Sequence, residues 1–316
     1  MRYLAEIREG DAFSGIYLCK TKVNARTKTG KSYYAMSLQD KTAVVDAKIW
    51  DLSSGIDYFE AMDYIHVVGE ATSFQGSIQL NIRRVTRARE GEYDPKDYLP
   101  SSPYSKDSMK EKLLELIASI KNEKLRTLAE SFFVEDKAFA DVFFDKSAAK
   151  SIHHSFLSGL LQHTLRVTQL CDFYCEKYPM LQRDLLITGA LLHDVGKVRE
   201  LSDFPENDYT DDGQLLGHIV MGYQMVAEKI AKIPDFPKKT GSELLHMILS
   251  HHGEMEFGSP KKPALLEAVA LHYADNTDAK IEAMSELLDG ALPGENWLGY
   301  QKLWESNVRR TTPVKP

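Results

Sequence analysis

The 316-residue sequence has little cysteine and no long apolar run. Its three cysteines, Cys19, Cys171 and Cys175, are too few and too scattered for a disulfide framework, which excludes the class of small disulfide-stabilised secreted domains. A membrane-spanning helix needs about 20 apolar residues in succession, and because the sequence has no such run, no membrane partner is expected. The N-terminus also lacks the apolar core of a signal peptide. These absences predict a cytoplasmic protein.

The remaining composition is that of an ordinary globular protein, with 43% apolar and 27% charged residues and a net charge of −7. A chain of this length has room for two or three domains. The residue pattern changes from β-type to helical between residues 90 and 108, across a stretch rich in proline. We therefore predict a multidomain protein of α and β structure with a β domain, a linker, a helical domain and a C-terminal tail, at 1–90, 91–107, 108–290 and 291–316.

Residues 1–90 alternate short segments rich in β-branched and aromatic residues with turn signals. This pattern predicts five strands, at 11–23, 32–39, 44–50, 65–73 and 77–84. Five short strands with a wider gap between the third and the fourth are typical of a small five-stranded β-barrel of the OB type. The first domain is therefore predicted to be an OB-type barrel.

Basic and aromatic residues are interleaved within this predicted barrel, and no acidic residue lies between Lys20 and Lys31. Single-stranded nucleic acid binds to grooves that combine positive charge with aromatic rings on which bases stack. The alternative is a barrel with core aromatics and a solvated basic loop. The candidate nucleic-acid contacts are Lys20, Lys22, Arg26, Lys28, Lys31, Tyr33, Tyr34 and Phe74.

The helical domain contains an adjacent pair, His193 and Asp194, inside an apolar segment that predicts a helix over 183–197. A buried carboxylate costs several kcal/mol unless a positive group faces it, and a metal ion meets that requirement. One His and one Asp cannot complete a coordination shell, so further ligands must come from elsewhere in the chain. Taken alone, a His on an inward helical face is more often a hydrogen-bonded core residue than a ligand. The additional candidates are His163, His218, His251, His252 and Asp275.

The ordered set of His, His-Asp, His, His-His and Asp over 150–280, on a helical background, resembles the HD superfamily of metal-dependent phosphohydrolases. The resemblance implies that His163, His193, Asp194 and Asp275 bind one divalent metal. It implies a second metal that Asp194 bridges, bound by His218 with His251, His252 or both. Imidazole and carboxylate ligands without thiolate favour Mn²⁺, with Fe, Co²⁺ and Zn²⁺ as alternatives, over Ca²⁺ or Mg²⁺ alone. We expect two metals per chain.

A barrel ahead of an HD domain, together with several local motifs, is similar to the YhaM family of bacterial 3′-to-5′ exoribonucleases. The motifs are His153-His154, Gly159 to Thr164, Leu216 to Ile219, Ser250 to Gly253 and Ala274 to Ala279. No predicted metal position departs from the family, but Ser158-Gly159 stands where the family usually has Gly-Gly, and the barrel segment matches more loosely.

The resemblance implies hydrolysis of single-stranded RNA, with single-stranded DNA also open, to 5′ mononucleotides by a metal-activated hydroxide. Asp194, Lys197 and His154 are the catalytic candidates, with His153 as an alternative to His154 near the substrate phosphate. Lys197 could equally be a cation that offsets a helix dipole. The alternatives are a small-molecule HD phosphohydrolase acting on nucleotides or cyclic dinucleotides, and a non-catalytic DNA-binding factor. The sequence leaves open a homo-oligomer.

Overall fold

The structure is a computed structural model that describes residues 2–27, 29–74, 77–94, 97–99, 102–150, 156–289, 291 and 294–314. The chain divides into two compact units. The barrel unit comprises Met1–Pro103, Phe156–Ser158 and Ser202–Asp208, and the helical unit comprises Tyr104–Ser155, Gly159–Leu201 and Tyr209–Pro316.

The barrel unit is a closed five-stranded barrel in the order β1-β2-β3-β5-β4. Its neighbouring strands are antiparallel except β3 and β5, which pair in parallel and close the barrel. The alternation of apolar residues buries one face of each strand, and Tyr17, Leu38, Ile65 and Leu80 are fully buried. The strands are β1 (Ala12–Arg26), β2 (Ser32–Gln39), β3 (Val44–Ile49), β4 (Tyr64–Phe74) and β5 (Ser77–Arg87).

The pairing of β4 with β5 is irregular at Gly69, where the register shifts after Val68. A Cβ at Gly69 would lie only 2.4 Å from the carbonyl oxygen of Asn81. Only glycine therefore allows the two strands to approach this closely at the irregularity. The predicted strands agree with this barrel, and the OB-type fold is confirmed.

The segment predicted as a linker is packed over its described residues rather than extended. Tyr98 and Leu99 are buried, and they form a small apolar cluster with Leu18 and Tyr64 of the barrel unit. The described residues between 91 and 103 therefore belong to the barrel unit by their contacts.

The helical unit packs its helices around one continuous apolar core that contains Leu113, Phe132, Leu186 and Leu271. Among the residues that the structure describes, no helix has both the length and the apolarity that crossing a bilayer would need. The helices are α1 (Lys106–Ala118), α2 (Glu123–Phe133), α3 (Lys137–Asp145), α4 (Gly159–Lys177), α5 (Arg183–Leu192), α6 (Lys197–Glu200), α7 (Asp211–Leu215), α8 (Gly217–Lys232), α9 (Lys238–Ser250) and α10 (Leu266–Asp289).

The prediction of one continuous helix over 183–197 is wrong at its end. α5 ends at Leu192, a turn covers 193–196, and α6 begins at Lys197. A Cβ at Gly196 would lie 2.0 Å from the carbonyl oxygen of His218, so this turn and α8 approach as closely as glycine permits. The break in the helix therefore brings the His193-Asp194 pair next to the first turn of α8.

The C-terminal segment, predicted as a tail, contains a β-hairpin. Its strands are β6 (Trp297–Gln301) and β7 (Ser306–Arg309), which pair antiparallel. The hairpin is attached to the end of α10, where the Arg310 guanidinium donates to the carbonyl of Leu288.

Candidate metal centre

Helices α4, α5, α8, α9 and α10 bring the seven predicted ligands to one place in the helical unit. α4 and α10 contribute residues from their interiors, whereas the other three contribute residues from their ends, where the backbone turns. Five of the seven side chains are buried, and the remaining two are partly exposed at the edge. The buried five are His163, His193, Asp194, His218 and His251, and the edge pair is His252 and Asp275.

One group of three possible ligands comprises His163, His193 and Asp275. The Nε2 of His163 lies 3.2 Å from the Nε2 of His193 and 3.2 Å from a carboxylate oxygen of Asp275. Two ligand atoms at right angles around an ion, each about 2.1 Å from it, lie about 3.0 Å apart. The spacing of this group therefore fits a divalent ion.

A second group comprises His218, His251 and His252. The rings of His251 and His252 are 4.4 Å apart between centroids, and the ring of His218 lies 5.1 Å from that of His252. Both adjacent histidines face this group, so the geometry keeps His251 and His252 together as candidate ligands.

Asp194 lies between the two groups and faces both. Its Oδ2 is 3.4 Å from the Nε2 atoms of His163 and His193. Its Oδ1 is 3.5 Å from the Nε2 of His218 and 3.6 Å from that of His251. One carboxylate can thus supply an oxygen to each group, which is the arrangement of a bridging ligand.

Three buried atoms at the centre lack a hydrogen-bond partner among the described residues: Asp194 Oδ1, His218 Nε2 and His251 Nε2. Buried polar atoms without partners are costly, since each loses its hydrogen bonds to water. Here the three converge, and an ion would satisfy all of them at once. The donor set therefore fits a metal.

The outer nitrogen of each histidine is held by a protein acceptor. The Nδ1 of His193, His251 and His252 donates to the backbone carbonyls of Ala190, Ile248 and Phe257 at 2.7 Å. The two remaining histidines use carboxylates at 2.8 Å, Asp278 for His163 and Glu200 for His218. Such partners orient a metal-binding imidazole and select its tautomer. In every case Nε2 is left to face the centre.

Asp278 and Glu200 are residues that the sequence reasoning missed. Asp278 follows Asp275 by three residues on α10 and therefore lies on the same helical face, a signal that was present in the sequence. Glu200 also accepts from the backbone N–H of His218 at 2.9 Å. No sequence signal pointed to Glu200, because its contact depends on the packing of α6 against α8.

Charges inside the centre balance one another. Burial raises the pKa of Asp194, but the charges of Lys197 and His193 outweigh burial and hold that pKa well below its usual value. Burial lowers the pKa of His163, yet hydrogen bonds to three carboxylates outweigh it and hold that pKa well above its usual value. The buried carboxylates of this centre are therefore ionised and favour positive charge next to them.

The two adjacent histidines of the second group are kept neutral. Burial lowers the pKa of His251, and burial with the neighbouring imidazoles lowers the pKa of His252 to about 3. A neutral imidazole carries the lone pair that a metal requires. Both residues are therefore in the ligand form at neutral pH.

Lys197 lies against Asp194, with its Nζ 2.6 Å from Oδ2. Its side chain is only 13% exposed, and it contributes to the lining of a cleft in front of the ligands. Burial lowers the pKa of Lys197, but Asp194 outweighs this and raises it. The residue is thus an ammonium at the entrance. The other catalytic candidate, His154, and its neighbour His153 lie outside the described residues.

The predicted nucleic-acid residues of the barrel differ in exposure and in the side chains they contact. Lys20, Arg26 and Lys31 are exposed, and Lys28 lies outside the described residues. Lys22 is different, because its Nζ donates to the carbonyl of Phe59 and lies 4.6 Å from the centre of the Tyr34 ring. Lys22 and Tyr34 are therefore engaged with each other.

Tyr33 points away from Tyr34, as neighbouring residues on a strand do. Its ring stacks on Trp50 at 4.6 Å between centroids. The Nζ of Lys48 lies 5.1 Å from the Trp50 ring and 5.2 Å from that of Phe74. We call this surface, made of Tyr33, Lys48, Trp50 and Phe74, the aromatic platform. Sequence reasoning missed Trp50 and Lys48, although Trp50 ends a predicted strand.

Comparison with known proteins bears on both units. The HD domain family matches residues 160–280. The 3′-5′ exoribonuclease YhaM of Geobacillus sp. (strain WCH70) is 37% identical over 291 residues, covering 90% of this chain and 88% of that protein.

Two solved structures are distantly similar. The p204 HINb domain shares 19% identity, over 28% of this chain and 46% of that one, with a TM-score of 0.24. The second OB-fold domain of replication protein A from Methanococcus maripaludis shares 11% identity, over 29% and 98%, with a TM-score of 0.23. Likenesses this weak carry no argument, and the barrel assignment rests on the strand pairing.

A helical fold with converging His and Asp residues and an HD-domain match defines a metal-dependent phosphohydrolase. The protein is therefore a hydrolytic enzyme. The identity over most of its length shows further that the chain belongs to the YhaM family of 3′-5′ exoribonucleases.

Proposed function

We propose that this protein is a metal-dependent exoribonuclease that removes 5′ mononucleotides from the 3′ end of single-stranded RNA, with single-stranded DNA as a second substrate. The observation that carries the proposal is Asp194, whose two oxygens each face a separate group of histidines. The name of its 37% identical relative supports the choice of RNA and the direction.

The proposed cofactor is a pair of divalent ions, Mn²⁺ first, with Fe, Co²⁺ and Zn²⁺ as alternatives, because the ligands are imidazole and carboxylate without thiolate. One ion would take His163, His193 and Asp275, the other His218 with His251, His252 or both, and Asp194 would bridge them. Bound there, the ions would supply a water of lowered pKa and positive charge for the phosphoryl oxygens.

Other residues of the chain orient the ligand rings and balance the charge of this centre. Asp278 and Glu200 hold the rings of His163 and His218 in place. Lys197 stands at the cleft as a fixed ammonium 2.6 Å from Asp194, where it can pair with a substrate phosphate. His154 remains a proposed catalytic residue on the resemblance alone.

The proposed partner, single-stranded nucleic acid, would be held by the barrel unit. The aromatic platform presents stacked rings beside the Lys48 ammonium, and Lys20, Arg26 and Lys31 add exposed positive charge. Stacking on aromatic rings next to cations is how single strands are held without base-specific contacts. We place this enzyme in the cytoplasm, because its sparse cysteine fits a reducing compartment.

The proposal is tested with the full chain and a single-stranded RNA labelled at its 5′ end, incubated with Mn²⁺, Mg²⁺ or a chelator. We expect a ladder that shortens stepwise from the 3′ end with Mn²⁺, and no cleavage with the chelator. Asp194→Asn should be inactive while keeping its helical circular dichroism, and Asp212→Asn, an exposed carboxylate of α7, should be fully active. Full activity of Asp194→Asn would contradict the metal-dependent mechanism.

A small-molecule phosphohydrolase remains the second candidate, because the described residues that line a cleft of about 1020 Å³ at the metal centre all belong to the helical unit. Free nucleotides and cyclic dinucleotides in the same assay separate the two functions. Faster turnover of these than of RNA would favour the second. The non-catalytic alternative does not hold, since the chain belongs to an enzyme family.

A further inference from the structure

The turn of the C-terminal hairpin, residues 302–305, forms a wall of the cleft at the metal centre. Lys302 and Trp304 line this cleft together with the candidate ligands His163, His252 and Asp275. The ligands lie on α4, α9 and α10 or at their ends, so the turn faces them from a different part of the chain.

This wall of the cleft carries side chains that metal binding does not require. Trp304 is partly exposed and presents an indole ring, and Lys302 is exposed and presents an ammonium group. An aromatic ring and a cation that line one cleft can together bind a nucleotide, the ring through the base and the cation through a phosphate. Phe257 adds a second aromatic side chain to the cleft.

The turn is held in position by its own backbone and by its base. The backbone N–H of Trp304 donates to the carbonyl of Gln301 at 3.2 Å, which closes the turn. At the base, the Arg310 N–H donates to the carbonyl of Asn296 at 2.8 Å, and Val308 is buried. Trp304 is therefore presented to the cleft from an ordered hairpin.

We propose that Trp304 and Lys302 position the terminal nucleotide of the substrate, with the base stacked on Trp304 and a phosphate paired with Lys302. This inference rests on the proposed function, which places the 3′-terminal phosphodiester at the metal centre. It makes the hairpin turn the element that binds the leaving nucleotide.

The test compares Trp304→Ala with Trp304→Phe and with a matched control, Trp297→Ala. Trp297 is the other tryptophan of the hairpin and is exposed, but it is not among the residues lining the cleft. On a single-stranded RNA with Mn²⁺, Trp304→Ala should raise KM about tenfold with kcat little changed. Trp304→Phe should recover most of the affinity, and Trp297→Ala should match the wild type.

A substrate whose 3′-terminal nucleotide lacks its base separates stacking from a purely structural role. The wild type should lose affinity for this substrate to the level of Trp304→Ala, and Trp304→Ala should lose nothing further. Equal KM in wild type and Trp304→Ala on ordinary RNA would overturn the inference. The inference would also be overturned if Trp304→Ala lost as much affinity for the substrate without the base as the wild type does.

A direct binding measurement tests the nucleotide site independently of RNA hydrolysis, and so independently of the proposed function. Titration calorimetry with adenosine 5′-monophosphate and Mn²⁺ should show about tenfold weaker binding in Trp304→Ala, and weaker binding in Lys302→Met. If the wild type degrades no RNA but these losses appear, the exoribonuclease proposal fails and the nucleotide site stands. Unchanged affinity in Trp304→Ala rejects the nucleotide site whatever the RNA assay shows.

Discussion

His163 and Asp278 are joined by a 2.8 Å contact between Nδ1 and a carboxylate oxygen, both buried inside the helical unit. Because Asp278 and Asp275 lie on one face of α10, a single helix supplies a candidate ligand and the group that orients another ligand. Turning Nδ1 outward leaves the Nε2 of His163 facing Asp194 and Asp275. The metal centre is therefore set by an outer layer of carboxylates as well as by its ligands.

The first prediction concerns this outer layer. Asp278→Asn should weaken metal binding by about 10–100-fold, because the amide no longer holds His163 in its tautomer and orientation. The measurement is a Mn²⁺ titration by calorimetry. Asp289→Asn, an exposed carboxylate at the end of the same helix, is the control and should bind normally. Wild-type affinity in Asp278→Asn would show that the contact does not orient the ligand.

The second prediction counts the metals. His218→Ala should reduce the bound Mn²⁺ from two toward one per chain and slow hydrolysis, because His218 belongs only to the second group of ligands. Elemental analysis after gel filtration measures the stoichiometry. His66 of the barrel, a half-buried histidine far from these ligands in the sequence, is the control, and His66→Ala should keep both ions. A wild type that saturates at one ion per chain would contradict the bridging arrangement.

The third prediction concerns the ion pair at the entrance. Lys197→Met removes the ammonium beside Asp194 and leaves a buried carboxylate without it. Breaking such a pair costs about 3 kcal/mol, and a divalent ion bound to the same carboxylate offsets this cost. The melting temperature should therefore fall strongly in chelator and much less in saturating Mn²⁺. An equal fall in both conditions would mean that the destabilisation is independent of Asp194.

The fourth prediction concerns Ser158, the residue that immediately precedes α4. Ser158 has a φ of 63°, a left-handed conformation that costs a non-glycine residue about 1–2 kcal/mol. Ser158→Gly should stabilise the protein by about 1 kcal/mol, since glycine adopts this φ without a clash but is freer when unfolded. Urea denaturation measures the change. Ser158→Ala keeps the clash and should not stabilise, so a gain in that variant would point to another cause.

The fifth prediction concerns the barrel. Trp50→Ala removes one ring of the aromatic platform and should weaken binding of a long single strand by about 1–3 kcal/mol. Tyr58→Ala, a more exposed ring outside the platform, is the matched control and should have little effect. Fluorescence anisotropy with a labelled strand in the presence of a chelator measures binding without hydrolysis. Equal losses of affinity in the two variants would show that the aromatic platform is not part of the binding surface.

Local patterns were sufficient for much of the fold. Alternation of side chains located the five strands, and the predicted 32–39 coincides with β2. The parallel pairing of β3 with β5 was not predictable, because strand order depends on contacts between distant segments. The predicted helix over 183–197 is too long for a similar reason, since the turn at 193–196 packs closely against α8, a distant segment.

The sequence by itself determined which residues can bind metal, because the chemistry of an imidazole or a carboxylate in an apolar segment is a local property. The tertiary structure alone decided how they are used. His163 and Asp278 are 115 residues apart, and only helix packing aligns their side chains. The same holds for the two faces of Asp194 and for Trp304, whose place at the cleft depends on the hairpin. Directional contacts between distant segments are set by packing, which no local pattern encodes.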